Sequence, residues 1–247
     1  MASTSGIEWT EMTWNTVTGC TKVSPGCKHC YAETLSRRLR AMGAPGYEKG
    51  FSLQLRPERL SQPLRRDKPT TYFVNSMSDL FHEDIPDAYI SRVMEVIRET
   101  PQHTYQILTK RSERLPLYFS DQTCPANAWI GVSVEDREYG LPRIPWLRQV
   151  PAKVRFLSIE PLLEDLGKLD LTGIHWVIVG GESGKSARAM DPAWVENIRI
   201  QAEKQNVPFF FKQWGTWGAD GVRRSKKKNG RTLDGETFDA MPATEYA

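Results

Sequence analysis

Six short apolar runs recur along the chain, each finishing in polar residues, and this recurrence limits the fold more than any other feature. The runs are residues 71–75, 105–109, 129–134, 154–159, 176–179 and 208–212. Runs this short and apolar suit strands buried on both faces. Between them lie stretches with helical spacing. Residues 88–99 place Ile90, Val93, Met94 and Ile97 on one side, and Pro192–Lys204 opens with Asp191 at a cap position and Pro192 at the first helical position. Alternating strands and helices predict a parallel sheet with right-handed crossovers. Residues 14–18 are expected to supply the first strand, running into a cysteine-rich loop.

The ends of the runs carry an unusual concentration of polar groups. Asn75-Ser76-Met77-Ser78-Asp79, Thr109-Lys110-Arg111 and Ser133-Val134-Glu135 are followed by Ser158-Ile159-Glu160, Gly180-Gly181-Glu182-Ser183 and Lys212-Gln213-Trp214. Parallel α/β folds collect their ligands at the carboxyl ends of the strands, so these groups are expected to line one mouth. His82 and Glu83 read as a solvated loop. From Gly215 onward the character changes: Arg223-Arg224-Ser225-Lys226-Lys227-Lys228 is basic, and Asn229-Gly230 and Asp234-Gly235 are turn signals. The expected division is a domain over residues 1–214 and a short hairpin extension over 215–247. The basic run is either a solvated turn or a contact for phosphates.

The net charge of +3 over 247 residues permits an anionic partner without demanding one. No run of 18 or more apolar residues suggests a membrane span, and the first residues lack a secretory pattern. A cytoplasmic, reducing setting is therefore expected, where disulfides are rare. Three of the four cysteines, Cys20, Cys27 and Cys30, fall within eleven residues. Thiolates so spaced suit an iron–sulfur cluster with one iron left open to a ligand. They also suit a zinc site completed by His29, His82, His103 or Cys124. A redox pair of Cys27 and Cys30 would leave Cys20 unused, and buried inert thiols are the remaining alternative. Cys124 reads as an ordinary thiol.

Cys27-Lys28-His29-Cys30-Tyr31-Ala32-Glu33 resembles the radical S-adenosylmethionine (SAM) signature, although six residues rather than three separate its first two cysteines. Ile7-Glu8-Trp9-Thr10, the run from Val74 to Phe81, Gly131-Val132-Ser133-Val134-Glu135, Glu160-Pro161-Leu162 and Phe210-Phe211-Lys212-Gln213-Trp214-Gly215 extend the likeness over nearly the whole chain. Together they resemble a phage-associated three-cysteine-motif family that is itself similar to radical SAM proteins. The resemblance implies a partial or complete (β/α) TIM-type barrel and a [4Fe–4S] cluster on Cys20, Cys27 and Cys30. SAM would complete the open iron and lie near Tyr31. Ser76, Ser78, Asp79, Lys110, Glu135, Glu160, Gly180, Gly181, Glu182 and Lys212 are the expected contacts for SAM or substrate. The implied activity is reductive cleavage of SAM to a 5′-deoxyadenosyl radical, fed by a flavodoxin or ferredoxin and directed at a nucleobase or nucleotide. The competing expectations are a zinc-stabilised nucleic-acid-binding module without catalysis and a cluster-binding regulatory partner.

Overall fold

A computed structural model describes residues 3–243. The chain forms one eight-stranded sheet and one two-stranded sheet. Strand β1 (Ser3–Thr4) pairs antiparallel with β2 (Met12–Trp14), and every later pairing in the large sheet is parallel. After β2 come β5 (Thr71–Val74), β6 (Thr104–Thr109), β7 (Ala128–Ser133), β8 (Val154–Ile159), β9 (Trp176–Gly180) and β10 (Phe209–Gln213), neighbours in chain order. Seven parallel strands curl into a half-barrel that does not close, and the six apolar runs are its last six strands.

The first strand differs from expectation. Only Met12–Trp14 joins the main sheet; Val17–Thr18 (β3) turns away to pair with Gln54–Leu55 (β4). The break falls where the Asn75 carboxamide accepts from the Val17 amide at 3.1 Å and from the Thr16 hydroxyl at 3.2 Å. Asn75 itself adopts a left-handed φ of 59°, which turns the chain as β5 ends.

Helices α1 (Tyr31–Ala41), α2 (Asp87–Glu99), α3 (Arg114–Phe119), α4 (Arg143–Arg148) and α5 (Pro192–Lys204) occupy the connections. Helix α2 buries Ile90, Val93, Met94 and Ile97, as their spacing predicts, and the Asp191 carboxylate accepts from the Ala193 amide at the start of α5. The strand period of two sorts the core into two parts. Outward residues such as Ile107, Ile130, Val132, Leu157, Val177 and Phe211 pack under the helices. Inward residues Phe73, Trp129, Phe156, Trp176 and Phe210 fill the lower lumen, with Trp9 plugging it from below. Trp176 meets Trp9, Trp129 and Phe210 edge-on with centroids 5.9–6.1 Å apart.

The extension follows the free edge of β10. The Phe211 amide donates to the Phe238 carbonyl, and Phe210 bridges Asp239, so the chain covers an edge that otherwise invites aggregation. Asp234-Gly235 forms the expected two-residue turn, closed between Leu233 and Glu236 with both central residues at positive φ. Asn229-Gly230 instead ends a single helical turn, α6 (Lys226–Asn229), because Ser225 caps that turn and draws the basic run into it. The tail thus joins a helical turn at residues 226–229 to the short hairpin turn at Asp234-Gly235.

Candidate functional site

Continuing the inward alternation past the aromatic floor brings Lys110, Ser133, Glu135, Ser158, Glu160, Gly180, Glu182 and Lys212 to the carboxyl end of the half-barrel. The polar strand ends therefore share one mouth, and most of their charges are matched within it. Lys212 pairs with Glu160 at 2.7 Å, and the Gln213 amide donates to the second Glu160 oxygen at 3.0 Å. Glu182 accepts from Arg188 through both carboxylate oxygens at 2.7 and 2.9 Å. Lys110 is the exception: its ammonium donates to the neutral Ser133 hydroxyl at 2.9 Å and forms no ion pair among the described residues.

The cysteine loop is fastened to this mouth at two points. The first is Arg111, which bonds Asp79 at 3.1 Å, Glu83 at 2.7 Å, the Thr21 hydroxyl at 2.8 Å and the Cys20 sulfur at 3.5 Å. Asp79 also accepts from the Thr109 hydroxyl and the Lys110 amide, so its carboxylate is spent on holding the strand ends together. The second is Glu135, fully buried, which pairs with Arg143 at 2.5 Å and accepts from the Ser24 hydroxyl. Ser24 precedes a 3-10 turn, Pro25–Cys27, so this contact fixes the loop between Cys20 and Cys27 against β7.

Of the pair expected to be solvated, Glu83 is exposed but His82 is not. His82 is buried; its Nδ1 accepts from the Asp84 amide, which leaves Nε2–H to donate to the Thr21 hydroxyl at 2.9 Å. Burial opposes ionisation of Glu83, but the Arg111 bond and a backbone amide outweigh it and hold the carboxyl near about 2. Glu135 and Glu182 are likewise held low: burial would raise both, and their arginine partners, together with Lys110 in the case of Glu135, overcome it. Carboxylates lowered by folding stabilise above their unfolded pKa and lose that contribution as pH falls through the folded value. Burial also lowers His82 and His175, so thermal unfolding followed by circular dichroism is expected to show a melting temperature that begins to decline as pH falls below about 6.5 and drops steeply below about 4. An unchanged melting temperature at pH 3 would contradict these pairings.

The remaining expected contacts are placed as follows. Ser76 donates to Asn15, and Ser78 donates to the Val17 carbonyl at 2.9 Å, so both hydroxyls brace the β2–β5 junction. Tyr31, the first residue of α1, exposes most of its ring at the rim while its hydroxyl donates to the Ser76 carbonyl. Gly180 ends β9 beside Glu160, and Gly181 packs against the backbone of Trp214: a Cβ there would lie 2.1 Å from that carbonyl oxygen. Gly181 thus serves the close approach of the chain leaving β10, and Gly180 leaves room for the Glu160 side chain. Four further residues, Arg111, Arg143, Arg188 and Ser24, shape the site without being singled out by the sequence. Arg111 lies inside a quoted motif, but no local spacing points to its partners.

Cys20, Cys27 and Cys30 are free thiols, each partly exposed. Burial and the Asp79 carboxylate push the Cys20 thiol up to about 11, against the pull of Arg111. Burial raises Cys124 to about 12, and it packs on the outer core. Among the described residues no three His, Cys, Asp or Glu side chains converge as ligands of one ion. A cubane distributes three cysteines over three irons, so its sulfurs need not meet at a point as those of a zinc ion must. Three reachable thiols on one anchored loop, facing a guanidinium that offsets thiolate charge, fit such a cluster in donor chemistry.

A family described as "Protein of unknown function (DUF5131)" matches residues 4–242. The chain belongs to the DUF5131 family. No curated protein matches it. Among solved structures, this DUF5131 chain is similar to a cysteine-to-alanine mutant of spore photoproduct lyase, with TM-score 0.51 and 14% identity, covering 74% of this chain and 58% of that one. The same mutant with dinucleoside spore photoproduct gives TM-score 0.51 at 14% identity, covering 83% and 64%. Spore photoproduct lyase complexed with that dinucleoside gives 0.50 at 14%, again covering 83% and 64%. The chain thus spans about three fifths of the length of these structures, and the likeness is one of fold: a curled, mostly parallel α/β half-barrel. No helix of the described residues is long and apolar enough to cross a membrane.

Proposed function

We propose that this chain is a radical SAM enzyme in which Cys20, Cys27 and Cys30 hold a [4Fe–4S] cluster and SAM binds beside it. One observation carries the reading: a three-cysteine loop is anchored by Arg111 and Glu135 over the mouth of a half-barrel whose inward-facing charged side chains gather at that end. When bound, the cluster would supply the electron that cleaves SAM to methionine and a 5′-deoxyadenosyl radical.

The protein's own groups then bind, orient and exclude water. Lys110, hydrogen-bonded to the neutral Ser133 hydroxyl and acting on Glu135 only through space, offers its ammonium to a carboxylate or phosphate. Glu160, steadied by Lys212 and Gln213, presents carboxylate oxygens to hydroxyl or amino groups. The exposed Tyr31 ring gives a base a stacking face. The aromatic floor keeps bulk water from rising beneath the reacting groups. A nucleobase or nucleotide substrate is supported by the dinucleoside in the spore photoproduct lyase complex and by the basic run near the C-terminus. A flavodoxin or ferredoxin as electron donor, a cytoplasmic setting, a phage association and a catalytic unit of residues 1–214 belong to the same proposal.

The test is anaerobic reconstitution followed by metal analysis and assay of 5′-deoxyadenosine with SAM and dithionite. The expected protein is brown, holds about four irons per chain and forms 5′-deoxyadenosine. Cys20→Ala, Cys27→Ala and Cys30→Ala each lose iron and product, whereas Cys124→Ala keeps both. A colourless protein with zinc on the same cysteines would overturn the reading in favour of a zinc-stabilised nucleic-acid-binding module.

A further inference from the structure

The basic run of the extension takes no part in the chemistry above; the fold carries its first residue, Arg223, to the loop at the rim of the mouth, while Lys226 reaches Glu8 beside the floor residue Trp9. The loop after β9 and residues 215–224 are joined by several hydrogen bonds. The Thr216 amide donates to the Glu182 carbonyl at 3.0 Å, and the Gly184 amide donates to the Thr216 hydroxyl at 2.9 Å. Trp217 Nε1 donates to the Ala187 carbonyl at 2.7 Å, and Arg223 donates to the Lys185 carbonyl. Since that loop leaves the mouth end of β9, the extension and the rim make one continuous surface.

The charges on this surface fall into two groups. Arg224, Lys226 and Arg231 are paired with Asp220, Glu8 and Asp239. Lys185, Lys227 and Lys228 are exposed and form no ion pair among the described residues, and Arg223 bonds a neutral carbonyl while standing 5.9 Å over the partly exposed Trp217 ring. Exposed cations spread over two segments bind a lone small anion weakly, because water screens each of them. A polymer with regularly spaced phosphates engages them together and releases its counterions in doing so. An indole within the same patch adds a stacking surface for a base.

We propose that this face is a docking track for a nucleic-acid backbone and leads it to the mouth. The direction of the track rests on the function proposed above; the binding itself needs neither cluster nor SAM. The test is fluorescence anisotropy of the full chain, with and without iron, against a labelled single strand of about 20 nucleotides and its duplex, between about 50 and 200 mM salt. Lys185→Gln, Lys227→Gln and Lys228→Gln are combined in one variant. A second variant carries Lys68→Gln, Lys153→Gln and Lys204→Gln, which remove the same charge from the opposite end, before β5, before β8 and at the end of α5.

The rim variant is expected to bind at least about tenfold more weakly than wild type, with a log–log salt slope shallower by about 2. The opposite-end variant is expected to stay within about twofold of wild type. Equal loss in both variants, absence of wild-type binding, or equally tight binding to phosphatidylserine vesicles would overturn the proposal. The two strand forms tell whether paired or unpaired nucleic acid is taken. Binding by a protein that makes no 5′-deoxyadenosine leaves the track standing and removes the enzyme reading, while the converse result removes the track alone.

Discussion

Glu135→Ala is expected to lower the free energy of unfolding by about 3–5 kcal/mol, the largest stability effect anticipated for any single side chain near the mouth. The carboxylate is fully buried and Arg143 nearly so, and the pair lies at 2.5 Å. Removing one partner strands a buried guanidinium, which costs more than the pair itself contributes. Urea unfolding followed by circular dichroism measures the loss, and a change under about 1 kcal/mol would show that the pair is solvated. Glu135 also accepts from Ser24, so two roles must be separated. The double variant Glu135→Leu with Arg143→Met removes both charges and is expected to recover much of the stability. It should still retain less iron than wild type after reconstitution, because Ser24 has lost its anchor. Full iron retention in the double variant would show that this anchor does not matter for the loop.

Gly19→Ala is expected to have the second largest effect, through the backbone instead of charge. Gly19 has φ +85°, and a Cβ there would lie 2.2 Å from the Ser52 carbonyl oxygen. Overpacking costs about 1–3 kcal/mol and the left-handed conformation about 1–2 kcal/mol more. Because the residue directly precedes Cys20, the displaced backbone should reduce iron retention as well as the melting temperature. Gly43→Ala is the control: its φ is +66° with nothing within 4 Å of the added carbon, so it bears the conformational cost alone. Equal melting temperatures for the two variants would mean that the contact with Ser52 relaxes freely.

Much of the scaffold was legible because its signals are local. A strand buried on both faces must be apolar throughout, and residues 129–134 or 176–179 have no other reading in an alternating chain. The gathering of Lys110, Glu135, Glu160, Glu182 and Lys212 at one mouth follows from the same alternation. Their pairing was not legible, since it joins residues far apart in the chain: Ser24 with Glu135, Thr21 with His82, Cys20 with Arg111. His82 illustrates the difficulty. A histidine beside two acids reads as solvated, and only the return of the cysteine loop over it removes the water. The six-residue gap after Cys20, unusual for the superfamily it resembles, is where the loop reaches Glu135.

The aromatic floor under the mouth has a kinetic consequence. With Trp9, Trp129 and Trp176 filling the lumen below, a ligand seated among the strand ends has no rear exit. Entry and exit are left to the mouth and to the open side of the half-barrel. For the enzyme proposed above, a spent molecule that lingers in the mouth would obstruct its successor, and inhibition by it should be competitive with whatever binds in the same place. The width of the opening, more than the depth of the vessel, would govern how quickly contents are exchanged.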